Sequence, residues 1–269
     1  MTTVRILRAF VRRDALDATS YKLVLVKELA SLLASILSVY FLARMIGTGS
    51  VAALRPYGGD YFAFALVGTA LADYVATSLN GMSRGLRLAQ TLGTLEAMLA
   101  TPAPRWTIAF GSAAYRLIWS LVRVGVYLIA GLVLGASFEH ADPVAALLAL
   151  ALSLLAFLAV GRLAAASVLI LTAFEPVTAL FTGLSWLLGG VLYPTASLPA
   201  PLEAVAAFLP ITHALEALRR SLLQGASISD IGRSLLALVA FSVVILPLAA
   251  WAYRRAIHRI RVDGSVSHY

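Results

Sequence analysis

Six stretches of this chain are apolar over about the length that a helix needs to cross a lipid bilayer: Leu29–Ile46, Tyr61–Asn80, Ile108–Phe138, Val144–Leu171, Val177–Tyr193 and Leu235–Tyr253. A span takes roughly 20 apolar residues, because the hydrocarbon layer is about 30 Å thick and a helix rises about 1.5 Å per residue. Lipid leaves no water for unpaired backbone groups, so the stretches must be helices. The expected fold is all-α, an integral membrane protein of six transmembrane helices. The third and fourth stretches exceed a bilayer's need and are expected to tilt or project beyond it. Composition agrees: 61% of the 269 residues are hydrophobic and 13% are charged, with a mean hydropathy of +0.89. Soluble domains carry about 25% charged residues.

The net charge of +8 raises the question of nucleic acid. Placement answers it. With both termini on one side, Arg5, Arg8, Arg12, Arg13, Lys22, Lys27, Arg84, Arg87, Arg105, Arg254, Arg255, Arg259 and Arg261 share that side, while only Arg55, Arg219, Arg220 and Arg233 face the other. Basic residues collect on the cytoplasmic side of membrane proteins. The expectation is therefore a multi-pass protein of the inner (plasma) membrane with cytoplasmic termini and no nucleic-acid partner. The first 28 residues contain no short apolar core before a small-residue cleavage site, so the first span reads as a retained anchor.

Residues 1–28 carry Arg5, Arg8 and Arg12 on one helical face, with Val4, Leu7, Phe10 and Val11 tending to the other. That pattern suits a helix lying in the headgroup layer; a disordered basic tail is the alternative. The chain is otherwise one transmembrane domain over residues 1–269, without repeat or linker. There is no cysteine, and His140, His213, His258 and His268 are far apart, which leaves no metal-ligand cluster in the sequence.

Between the second and third spans, Leu92, Leu95 and Leu99 recur at helical spacing, with Thr91 as candidate N-cap, Glu96 in the early turns and Pro102 and Pro104 as terminators. Either a docking knob or a helix that merely closes a loop fits this. After the fifth span, Gly189, Gly190, Pro194 and Pro199 break the chain, and two stretches follow, about Ala200–Leu209 and Ile211–Leu223. They are too short to span and too apolar for a free loop, so they read as a re-entrant hairpin within residues 194–230. Thr212 is its candidate cap, and Glu216 is spaced to face Arg219 or Arg220.

These two segments, in this order on a six-span frame, resemble the type-2 ABC exporter permeases, which carry a Gly-Thr-Leu-Glu run followed by a Thr-Pro step and a Pro-rich outer hairpin. The resemblance implies a coupling helix that docks into a cytosolic ABC ATPase subunit, a role that falls here on Gly93, Thr94, Leu95, Glu96, Thr101 and Pro102. It implies the outer hairpin around Pro194, Pro199, Pro210, His213 and Glu216, and a permease dimer, simplest as a homodimer, lined by the first, second and fifth spans. It also implies ATP and Mg on the partner ATPase and no cofactor on this chain. The only lysines, Lys22 and Lys27, do not follow a glycine, so no phosphate-binding Walker lysine is present.

Four ionisable residues fall at membrane depth. Arg116 and Arg162 are expected near the inner interface, relieved by snorkelling, and Asp73 and Arg123 lie deeper, as a candidate ion pair between spans two and three. A lining role in the translocation path is the alternative for that pair. Two rivals to export stay open: an ion-driven secondary transporter, for which Asp73 is the one acid candidate, and a membrane scaffold without transport.

Overall fold

The computed structural model describes residues 3–20, 22–47, 52–101, 104–170 and 176–263. Ten α-helices run through them: α1 (Thr3–Ser20), α2 (Lys22–Ile46), α3 (Tyr61–Thr91), α4 (Thr94–Ala100), α5 (Arg105–Val133), α6 (Pro143–Ile170), α7 (Pro176–Leu188), α8 (Ala200–Ala206), α9 (Pro210–Leu223) and α10 (Gly232–Asp263). No strand occurs among the described residues. Helices α2, α3, α5, α6 and α10 are long and apolar enough to cross a membrane.

The fifth apolar stretch behaves differently from the others. Its helix, α7, has 13 described residues, so it rises about 20 Å, short of a full bilayer. It stops just before Gly190, with φ +76°, and Pro194, and residues 189–194 form no helix. The two hairpin stretches form α8 and α9, which meet at 85°. Together they are the other element that passes a span test, provided the bent pair is taken as one crossing.

Helix α3 is the axis of the bundle. Asp60 caps it, accepting a 2.8 Å hydrogen bond from the Phe62 amide. It packs against α5, α6 and α9, and 83% of its apolar window is buried inside the protomer. Small residues allow the close approach, as is usual where lipid supplies no hydrophobic drive between helices. A Cβ at Gly81 would press on Ala113 at 3.1 Å, one at Gly85 would meet Ser112 at 2.6 Å, and one at Gly161 would meet the Ser78 carbonyl at 2.6 Å.

The two ends of the bundle differ. At one end α1 packs across the start of α5, where Gly111 makes room for the Phe10 ring. At the other end lie a 3-10 turn at Ala52–Tyr57, the α5–α6 connection and the α8–α9 hairpin, tied together by Tyr57 to Glu216 and by the Asp142 amide to Ser221 O at 2.9 Å. Among the spanning helices α2 is the least buried, at 17% of its apolar stretch. Leu25, Leu29, Leu33, Leu37 and Phe41 form an exposed stripe along it, and Leu180, Trp186 and Leu187 are exposed on α7.

Candidate functional site

At the α1 end, α4 joins the ends of α3 and α5. Gly93 turns the corner with φ +66°, a left-handed conformation that costs glycine no Cβ clash. Helix α3 runs on through Thr91, whose hydroxyl bonds back to Arg87 O at 2.7 Å, so Thr91 ends α3 and Gly93 occupies the N-cap position of α4. Thr94 and Thr101 bond to Ala89 O at 3.3 Å and Met98 O at 2.7 Å, tying down both ends of the short helix. Leu95 is 2% exposed and packs with Leu86, Ala89, Ile108 and Tyr253. It is the root that fixes α4 to the bundle and does not reach an outside partner. Gly93, Thr94 and Thr101 are exposed; the Glu96 side chain and all of Pro102 lie outside the described residues.

At the far end, Pro194 is buried, Pro199 occupies the N-cap position of α8, and Pro210 opens α9. Leu209, not Thr212, holds the N-cap position of α9. Thr212 instead reaches across the bend to Ala206 O at 2.8 Å, and His213 Nε2 lies 2.8 Å from Ala207 O. Both side chains thus brace the 85° corner. Glu216 forms no ion pair with Arg219 or Arg220 among the described residues; its carboxylate accepts a 2.5 Å bond from the Tyr57 hydroxyl. Burial first, then this bond to Glu216, push the Tyr57 hydroxyl well above the usual phenol range, so it remains a donor.

Arg219 was expected at an outer, solvated surface and is instead 3% exposed. Its guanidinium donates to Phe64 O at 3.2 Å, Gly190 O at 2.8 Å and Val191 O at 2.6 Å, and stacks on the Phe64 ring at 3.4 Å. The fork ties α9 to α3 and to the broken end of α7. The acceptors lie mostly in the non-helical segment that follows α7, where Gly190 and Val191 present their carbonyls to the Arg219 fork.

A family model described as ABC-2 type transporter matches residues 30–223, from α2 through α9. The chain belongs to this family. No curated protein matches it. The matched region contains α4 and the hairpin, and makes this ABC-2 chain the permease part of an ABC transporter.

Inside this permease, Asp73 Oδ1 and Arg123 Nη2 lie 2.7 Å apart, joining α3 to α5. Their side chains keep 24% and 20% exposure, so the pair borders a cavity and is not sealed in the core. Arg162 stacks near the Tyr253 ring, 5.5 Å from its centroid. Arg116 does not simply snorkel: it lines the same cavity as the ion pair, and its Nη1 is shielded without a partner. Of the aromatics at span ends, Trp106 and Trp251 are exposed, as lipid-interface residues would be, whereas Tyr253 is buried at 1%. Tyr127 and Phe157 pack in the core, and Trp119 borders the cavity. Among the described residues no cluster of His, Asp and Glu suits a metal ion.

Proposed function

We propose that this ABC-2 permease exports its substrate across the plasma membrane using ATP hydrolysed by a separate cytosolic ABC subunit. In this reading the α1 end faces the cytoplasm, both termini are cytoplasmic, and α8–α9 lies outside. Two permease copies work with two ATPases that bind ATP and Mg. The observation that carries the reading is α4: a seven-residue helix rooted by Leu95 between two spanning helices, with Gly93, Thr94 and Thr101 exposed on its other side. Closure of an ATPase on that knob would move α3 and α5 as one body. The apolar stripe of α2 and the exposed side of α7 suit a second copy. Helix α3, which the resemblance also assigns to the dimer interface, is enclosed by its own protomer and would contribute little there.

The ion-driven alternative loses weight because Asp73, its acid candidate, is already engaged by Arg123. The test is purification of the tagged chain from its native membrane in mild detergent. Recovery of a Walker-motif ATPase near one-to-one, with hydrolysis that depends on the intact permease, is the expected result. An intact complex without any ATPase would overturn the reading.

A further inference from the structure

A cavity of about 580 Å³ lies between α1, α2, α3 and α5, within the size range of small-ligand sites. Its wall mixes charged with apolar side chains. Four arginines line it, Arg13, Arg84, Arg116 and Arg123, and so do four carboxylates, Asp14, Asp17, Glu28 and Asp73. Two pairs neutralise each other directly: Arg13 with Asp14 at 2.7 Å, and Arg123 with Asp73 at 2.7 Å. The four that remain are not joined by any ion pair among the described residues. They divide by wall, since Arg84 and Arg116 belong to α3 and α5, while Asp17 and Glu28 belong to α1 and α2.

The α5 wall carries a second, independent signal. Arg116 Nη1, Trp119 Nε1 and Arg123 Nε are shielded from solvent and have no acceptor. Their residues stand at i, i+3 and i+7, on one face of one helix. Buried donors without acceptors are costly, charged ones most of all. The same three side chains line the cavity along one face of α5, and the face suits an oxyanion, since a phosphate offers several acceptor oxygens at once and arginine binds it in a fork. A purely anionic ligand would satisfy this wall but face Asp17 and Glu28. A simple cation would leave α5 unmet.

We propose that the cavity seats a zwitterionic phospholipid headgroup, its phosphate against Arg116, Trp119 and Arg123 and its ammonium toward Asp17 and Glu28. Ala18, Val24, Ala76 and Leu88 supply the apolar parts of the wall, which suits the glycerol and first acyl carbons. The amphipathic α1 brings the cavity to the level of lipid headgroups. Lipid binding here stands whether or not the chain exports, because it needs no ATPase; the export reading adds only that a lipid held between α5 and the α1–α2 wall is placed to be cargo.

The absence of cysteine makes the test clean. Thr77→Cys places one thiol in the cavity wall. Maleimide labelling of the full-length, detergent-solubilised variant is followed while phosphatidylethanolamine, phosphatidylglycerol or inorganic phosphate is added. Phosphatidylethanolamine should slow labelling at least tenfold more effectively than either of the others. Added to that background, Arg116→Gln should abolish protection by both lipids, Arg116→Lys should retain part of it, and Glu28→Gln should reduce phosphatidylethanolamine to the level of phosphatidylglycerol. Equal protection by the two lipids, or protection unchanged in Arg116→Gln, would overturn the proposal. Equal protection by inorganic phosphate would assign the site to a free oxyanion and overturn the lipid source. If Arg116→Gln fails to fold, as judged by gel filtration, the comparison of the three ligands on Thr77→Cys alone decides.

Discussion

Replacing Arg219 by leucine should loosen the hairpin end without disturbing the rest of the bundle. The side chain is 3% exposed, and no acid lies within ion-pair distance among the described residues. What compensates its charge is three carbonyls and the Phe64 ring. Leucine keeps much of the volume but leaves Gly190 O and Val191 O without this donor. Each unsatisfied buried carbonyl costs roughly 1–3 kcal/mol, so the two together cost about 2–6 kcal/mol. Loss of a desolvated cation–π contact adds about 2 kcal/mol. Removing the buried guanidinium also relieves a desolvation cost of several kcal/mol, which offsets part of that loss. The net expectation is about 3 kcal/mol of destabilisation. Lysine keeps the charge but not the planar fork, so Arg219→Lys should fall between leucine and wild type. Unfolding by SDS titration, followed by circular dichroism in mixed micelles, measures the stability. Limited proteolysis around Gly190–Tyr193 reads the local loosening. An Arg219→Leu protein that unfolds within about 0.5 kcal/mol of wild type and gains no cleavage there would refute the fork's structural role.

Three further outcomes are expected. Asp73→Asn strands the Arg123 charge; because both side chains keep about a fifth to a quarter of their exposure, the cost should be about 1–2 kcal/mol, below the 3–5 kcal/mol of a sealed pair. Adding Arg123→Gln should restore at least half of that loss, and a double-mutant cycle that comes out additive would show the pair to be uncoupled. Leu95→Ala should cost about 2–4 kcal/mol of stability as a buried truncation, whereas Glu96→Lys should leave unfolding unchanged and abolish coupling of ATP hydrolysis to transport, so wild-type coupling in that variant would remove the docking role. Gly68→Ala should destabilise by about 1–3 kcal/mol, since a Cβ there would fall on the Val191 carbonyl and Arg219 Nη2; unchanged SDS unfolding would contradict that packing.

Where local chemistry decides structure, the sequence was readable. The hairpin stretches match α8 and α9 closely because Pro199 and Pro210 are local start signals. The Asp73–Arg123 contact was legible as two opposite charges placed deep in neighbouring spans. Arg219 was not legible by the same means. A charge count assigns it to the outer face with Arg220, yet its position is set by carbonyls of Gly190 and Val191, nearly thirty residues earlier. The signal available was its company on α9: Ala214, Leu215, Ala217 and Leu218 are all buried with it. The α4 cap was missed for a related reason. Thr91 is a good capping residue in isolation, but α3 runs through it, and the corner falls to a glycine that can take positive φ. Arg116 alone reads as a snorkelling charge, and Trp119 was not set beside it. Their spacing with Arg123 along α5 was the missed sign of a shared cavity wall.

These contacts form an unbroken mechanical series along α3. Its α1 end carries α4 through the Leu95, Leu86 and Ala89 cluster. Its middle is joined to α5 by the close approaches at Gly81 and Gly85 and by the Asp73–Arg123 pair. Its far end is tied by Phe64 and Gly68 to Arg219 and the end of α7. A helix of 31 residues spans about 46 Å, so α3 alone connects both faces of a bilayer. A load on α4 therefore need not pass through a relay of side-chain flips; it moves α3 and α5 as one body. The element free to move against that body is the weakly packed α2, 17% of whose apolar stretch is buried, whereas the end of α7 is held by Arg219 and Gly68. Pathway opening by displacement of α2 against a rigid α3–α5 pair is the motion this packing favours. It requires a cross-link between Gly81 and Ala113 positions to be tolerated during turnover, and one from α2 to α3 to arrest it.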